Sequence, residues 1–134
     1  MRLPPLLEEH PRWLQLLLVI VLPAVYGAVT GYLLGVSEGA YLVLSILGVL
    51  GGIGAGFDHV GGAAGAKRGA IAGSVFGAAI LVAHEIHGEE AKADLPDPAI
   101  LLVALTTGLA IGFAAFGGWL RGRATARAAE AGRA

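Results

Sequence analysis

The chain has 134 residues, of which 56% are apolar and 14% charged, and it contains no cysteine. That length suits one domain, the charged share falls short of the roughly one quarter usual in soluble domains, and the missing cysteines exclude a disulfide framework, thiol catalysis and a thiolate metal site. The formal net charge of -1 conceals an uneven distribution: Arg2, Arg12, Lys67, Arg68, Arg121, Arg123, Arg127 and Arg133 lie at the N-terminus, in a middle connector and in the C-terminal tail, whereas Glu38, Glu85, Glu89, Glu90, Asp94 and Asp97 occupy two other connectors.

The apolar residues come in long blocks, not at amphipathic spacing. Blocks of about 20 with few charges read as membrane-spanning helices. Residues 1–12 mix Leu3, Leu6 and Leu7 with Glu8, Glu9 and His10, and Pro4, Pro5 and Pro11 interrupt a regular helix, which predicts a segment lying at the headgroups. A signal peptide is the competing reading of a charged start followed by an apolar run, but the run is long and no A-x-A-type cleavage site follows at the right distance.

The first span covers residues 13–34, with Trp13 as an interfacial anchor and Pro23 predicting a bend where a backbone bond is lost. Gly27, Gly31 and Gly35 follow at four-residue spacing. The short connector at Ser37 and Glu38 predicts that the second span, residues 40–57, packs antiparallel beside the first. It carries Gly48, Gly52 and Gly56. Glycine at every fourth position leaves a bare stripe against which another backbone can pack closely.

The middle connector holds Asp58, His59, Lys67 and Arg68. Ionisable groups within a membrane's thickness mark a pathway or a pair. An Asp58–Arg68 pair fixing the turn is the structural reading, and proton or ion handling by His59 is the functional one. The third span, residues 66–86, carries Gly69, Gly73 and Gly77; the fourth, residues 98–120, carries Gly108 and Gly112 and ends at Trp119. Residues 121–134 form a basic tail.

Four spans, each hairpin resembling the other, predict an all-α membrane protein of two tandem helical hairpins with glycine-zipper packing. Gly27 to Gly31 reads against Gly69 to Gly73, and Ala40, Leu42, Leu50, Ala55 and Phe57 align without gaps to identical residues of the fourth span. Internal duplication is one source of such a match and chance similarity of Gly/Ala-rich segments is another. Because Lys and Arg favour cytoplasmic connectors, both termini are expected inside the cell membrane and both acidic connectors outside. So much small-residue surface motivates a homo-oligomer in the lipid bilayer.

His84, Glu85, His87, Glu89 and Glu90 form the densest group of ligating side chains. Histidines three apart share a helix face, and with carboxylates they suit a weakly bound divalent metal ion, although the spacing is not H-E-x-x-H. The plain alternative is a solvated helix end, and no other cofactor is expected. No phosphate-binding loop, nucleophile elbow or aromatic-interleaved basic patch occurs, so neither an enzyme nor a nucleic-acid partner is expected. The functional expectation is a small oligomeric channel or carrier for cations attracted by the acidic, histidine-bearing connector. The alternative is a non-transporting accessory subunit of a larger membrane partner.

Overall fold

A computed structural model describes residues 3–134; Met1 and Arg2, and with them the first basic residue of the N-terminal segment, lie outside the described residues. After a short 3-10 turn at Leu7–Glu9, four helices are long and apolar enough to cross a membrane: α1 (Arg12–Leu34), α2 (Glu38–Phe57), α3 (Gly62–His87) and α4 (Leu101–Arg133). The basic tail is thus a direct continuation of α4.

Helix boundaries follow local chemistry. The Ser37 hydroxyl accepts the Ala40 N–H at 3.3 Å, and Glu38 sits in the first turn of α2, where the helix dipole favours negative charge. α3 starts after Gly61 (φ 100°) and stops at Gly88 (φ 74°), two backbone conformations that side chains rarely tolerate. α3 begins at Gly62, earlier than the expected residue 66, since the Gly/Ala stretch joins the helix and packs on α4.

The helices are arranged in the order α1–α3–α4–α2 around the bundle. α3 and α4 form the most intimate pair, α1 leans on α3, and α2 leans on α4. α1 and α2 lie beside each other across their short connector, with the Tyr26 hydroxyl donating to the Leu44 carbonyl, but they touch more lightly than α1 touches α3 or α2 touches α4. The reason lies in where the bare stripe of α1 points. A Cβ at Gly31 would collide with the Ile80 carbonyl, and one at Gly27 would lie 2.5 Å from the Phe76 carbonyl oxygen, so this stripe is filled by the backbone of α3. Likewise Gly65 and Gly69 accommodate the Ala114 and Ala110 carbonyls, and Gly73 and Gly77 meet Thr106 and its neighbours.

The two ends of the bundle differ. At the end carrying the α1–α2 turn, Leu34, Tyr41, Phe76, Ile80 and Leu102 form a packed core. Ala91, Ala93 and Leu95 of the α3–α4 connector fold onto it, and the Lys92 N–H donates to the Leu34 carbonyl at 2.8 Å. At the opposite end gather the N-terminal segment, the α2–α3 turn and the stretch of α4 around Gly118 and Arg121. There the Leu7 N–H donates to the Asp58 carbonyl, the Gly61 N–H to the Gly118 carbonyl, and Arg121 Nη2 to the Pro4 carbonyl at 2.7 Å.

Candidate functional site

The site starts from a defect in α1. Between Leu17 and Val21 the helix widens to a π turn, so the Leu22 N–H bonds the Leu17 carbonyl, one residue further back than in an α-helix. The Leu18 carbonyl therefore loses Leu22 as its donor. The next residue along is Pro23, which has no N–H to offer. A buried carbonyl without a partner is costly in an apolar surrounding. Arg68 of α3 supplies the missing donor: its Nη2 donates to the Leu18 oxygen at 2.8 Å.

Arg68 is only 6% exposed, and its Nε and Nη1 have no partner at all. It lies about 9 Å along the axis from Gly62, at 1.5 Å per residue, inside the apolar part of the bundle. The expected pair with Asp58 is not made. Arg68 turns inward to α1, and the Asp58 charge acts on it only through space. His59 stays in the turn with a buried Nδ1 that has no partner.

The guanidinium lines a cavity of about 440 Å³ to which all four helices contribute, a size within the range of small-molecule sites, roughly 300–1,000 Å³. Its walls are Leu18 and Leu22 of α1, Gly48, Gly52 and Ala55 of α2, Ala72 of α3, and Ala110 and Ala114 of α4. The exposed lining residues Leu22, Leu47 and Gly51 all belong to α1 and α2, so the mouth lies between those two lightly touching helices. Tyr26 and Phe76, with ring centroids 5.7 Å apart, close the end away from Arg68.

Only three lining residues carry a polar side chain: Tyr26, Arg68 and Thr106. The Tyr26 hydroxyl donates to the Leu44 carbonyl at 2.8 Å, and the Thr106 hydroxyl is engaged by the Gly73 and Val103 carbonyls at 3.0 and 3.1 Å. The side-chain donors left free in the cavity are those of Arg68.

The acidic, histidine-bearing segment lies at the other end of α3. His87 packs its ring on Tyr32, with centroids 4.3 Å apart, and its Nδ1 sits beside Gly35. Glu85, Glu89 and Glu90 are exposed, and His84 is half-buried. Among the described residues no three His, Asp or Glu side chains come together closely enough to hold a metal ion.

The glycines divide by what faces them. Gly27, Gly31, Gly35, Gly56, Gly69, Gly73 and Gly77 lie against neighbouring chain too closely for a Cβ. Gly48 faces the rings of Tyr26 and Phe76, and Gly52 borders the cavity with only ordinary contacts. Gly108 and Gly112, expected to serve packing, have nothing within 4 Å; their four-residue spacing falls on the outward face of α4. Gly65, Gly117 and Gly118 were not singled out from the sequence, yet each touches backbone of a neighbouring element. Arg121, also missed, is 6% exposed and lies over the Phe57 ring at 5.3 Å.

Compared with protein-family models, curated proteins and solved structures, the chain has no match.

Proposed function

We propose that this chain is a small integral transport protein of the cell membrane, with both termini cytoplasmic, and that it works through the cleft between α1 and α2. The observation that carries this reading is Arg68: a guanidinium buried within the span, with two nitrogens unpartnered, on the wall of an otherwise apolar cavity. Ionisable residues at membrane depth are expensive to hold and mark a substrate or ion path by default. The glycine-zipper faces and the resemblance of the two hairpins fit a repeat whose first hairpin has opened to make the cleft.

The cleft favours an anion. Among the described residues its one charged lining residue is Arg68, and no carboxylate lines it. Attraction of cations belongs to residues 84–90, at the far end of α3, and a cation drawn there would meet the guanidinium's repulsion on entering the cleft.

Flux in liposomes tests the reading. Purified protein should carry organic carboxylates across the bilayer, and Gly52→Leu, which fills the cleft, should stop them. Flux of potassium or sodium without anion flux would return the function to the acidic segment and overturn the cleft.

A second reading has its own observation. Gly51 and Gly54 of α2, and Gly108 and Gly112 of α4, meet nothing within 4 Å, leaving bare backbone available to a second copy or to a larger membrane partner. Absence of flux, together with a stoichiometric partner on purification, would favour an accessory subunit.

A further inference from the structure

We infer that the cleft is a binding site for an amphiphile with a carboxylate head and a single acyl tail, the carboxylate held by Arg68. The inference rests on the cleft being the working site and names what occupies it.

The head follows from the donors. Tyr26 and Thr106 have spent their hydroxyl protons on the Leu44, Gly73 and Val103 carbonyls. Arg68 gives one Nη2 proton to Leu18 and keeps the other, and its Nε and Nη1 are buried and without a partner, so one two-nitrogen edge, the second Nη2 proton with Nη1 or Nε, stays open. An isolated buried cation is strongly unfavourable unless an anion joins it. A guanidinium matches the two oxygens of a carboxylate. A phosphodiester offers the same pair of charged oxygens, but in a bilayer lipid it brings a bulkier head and two tails to a cavity of about 440 Å³.

The tail follows from the walls. From Arg68 to Phe76 the cavity runs about 12 Å along α3, at 1.5 Å per residue, between Leu, Ala and Gly surfaces. Its mouth between α1 and α2 faces the bilayer, so an acyl chain enters sideways from the lipid without crossing water. Arg68 lies below the end of the bundle, under the α2–α3 turn, where a small head must be drawn inward to reach it.

Native mass spectrometry of the full chain in mild detergent, titrated with dodecanoate, tests this. One dodecanoate per chain is expected, with dodecanol and acetate binding far more weakly. Arg68→Gln should weaken dodecanoate binding about 30-fold or more, as removing one partner of a buried charged pair does. Because Arg68→Gln also frees the Leu18 carbonyl and can loosen the fold, Gly52→Leu provides an independent arm. A Cβ there makes only ordinary contacts, so this variant should fold, keep Arg68 and still lose dodecanoate. Equal binding of dodecanol, or wild-type binding by both variants, would overturn the inference. Tighter, Arg68-dependent binding of phosphatidylglycerol would assign the site to a bilayer phospholipid and overturn the carboxylate. Dodecanoate binding without flux would leave this inference standing and remove the transport reading; flux without Arg68-dependent binding would do the reverse.

Discussion

Arg68 Nη2 donates to the Leu18 carbonyl at 2.8 Å, fifty residues away in the chain. That carbonyl lacks a backbone donor because a π turn and Pro23 together remove both candidates. The bond joins α3 to α1 beside the cleft mouth, so one contact both repairs a helix and fixes the only charge that lines the cavity among the described residues.

This coupling can be measured. Arg68→Gln should destabilise the protein by about 1–3 kcal/mol, the usual cost of an unsatisfied buried polar group. Pro23→Ala restores an N–H at position 23, which offers the Leu18 carbonyl a backbone partner. In that background Arg68→Gln should cost less, giving a coupling of about 0.5–3 kcal/mol in a double-mutant cycle. Thermal unfolding in detergent provides the four stabilities, and strict additivity would separate the arginine from the helix defect.

Close approach at glycine makes a second set of expectations. Gly31→Val and Gly69→Val would drive side chains into the Ile80 and Ala110 carbonyls and should each destabilise by about 1–3 kcal/mol or more. Gly112→Ala adds a methyl group to open space and should be neutral or slightly stabilising, since alanine is the better helix former by about 1 kcal/mol. Unfolding midpoints of the three variants check the contrast.

The four spans were legible because apolar blocks of spanning length are hard to read otherwise. The position of Arg68 was not legible. Sequence spacing placed it near Asp58 in a turn, and nothing local reveals that a carbonyl of α1 needs a donor. Glycine spacing shows which residues share a face, but not what that face meets. For this reason Gly27 and Gly31 lie on α3 instead of α2, and Gly108 and Gly112 lie on nothing within the chain. Gly117 and Gly118 were overlooked because an adjacent pair breaks the four-residue pattern. The acidic segment stood out by composition, yet composition cannot bring exposed side chains together.

Arg121 holds the N-terminal segment to the bundle through the Pro4 carbonyl and lies over Phe57. Arg121→Gln should release that segment while leaving the spans folded. Limited proteolysis should then cut near residues 3–10 faster than in the wild type, with an unchanged helical circular dichroism spectrum.

Topology is open to direct labelling, because the chain has no cysteine of its own. Cysteines placed at Val60, in the α2–α3 turn, and at Glu89, just past the end of α3, are both exposed and should react with impermeant maleimide from opposite sides of the membrane. Reaction from the same side would break the four-span arrangement.

Photolabelling tests the cleft most directly. A diazirine-bearing acyl carboxylate, cross-linked to the full chain in liposomes and mapped by peptide mass, should mark lining residues such as Leu22, Gly48, Gly52 and Ala72, and Arg68→Gln should abolish those marks. Labels confined to outward-facing positions such as Val43, Ile46 and Leu105, unchanged by Arg68→Gln, would contradict the account.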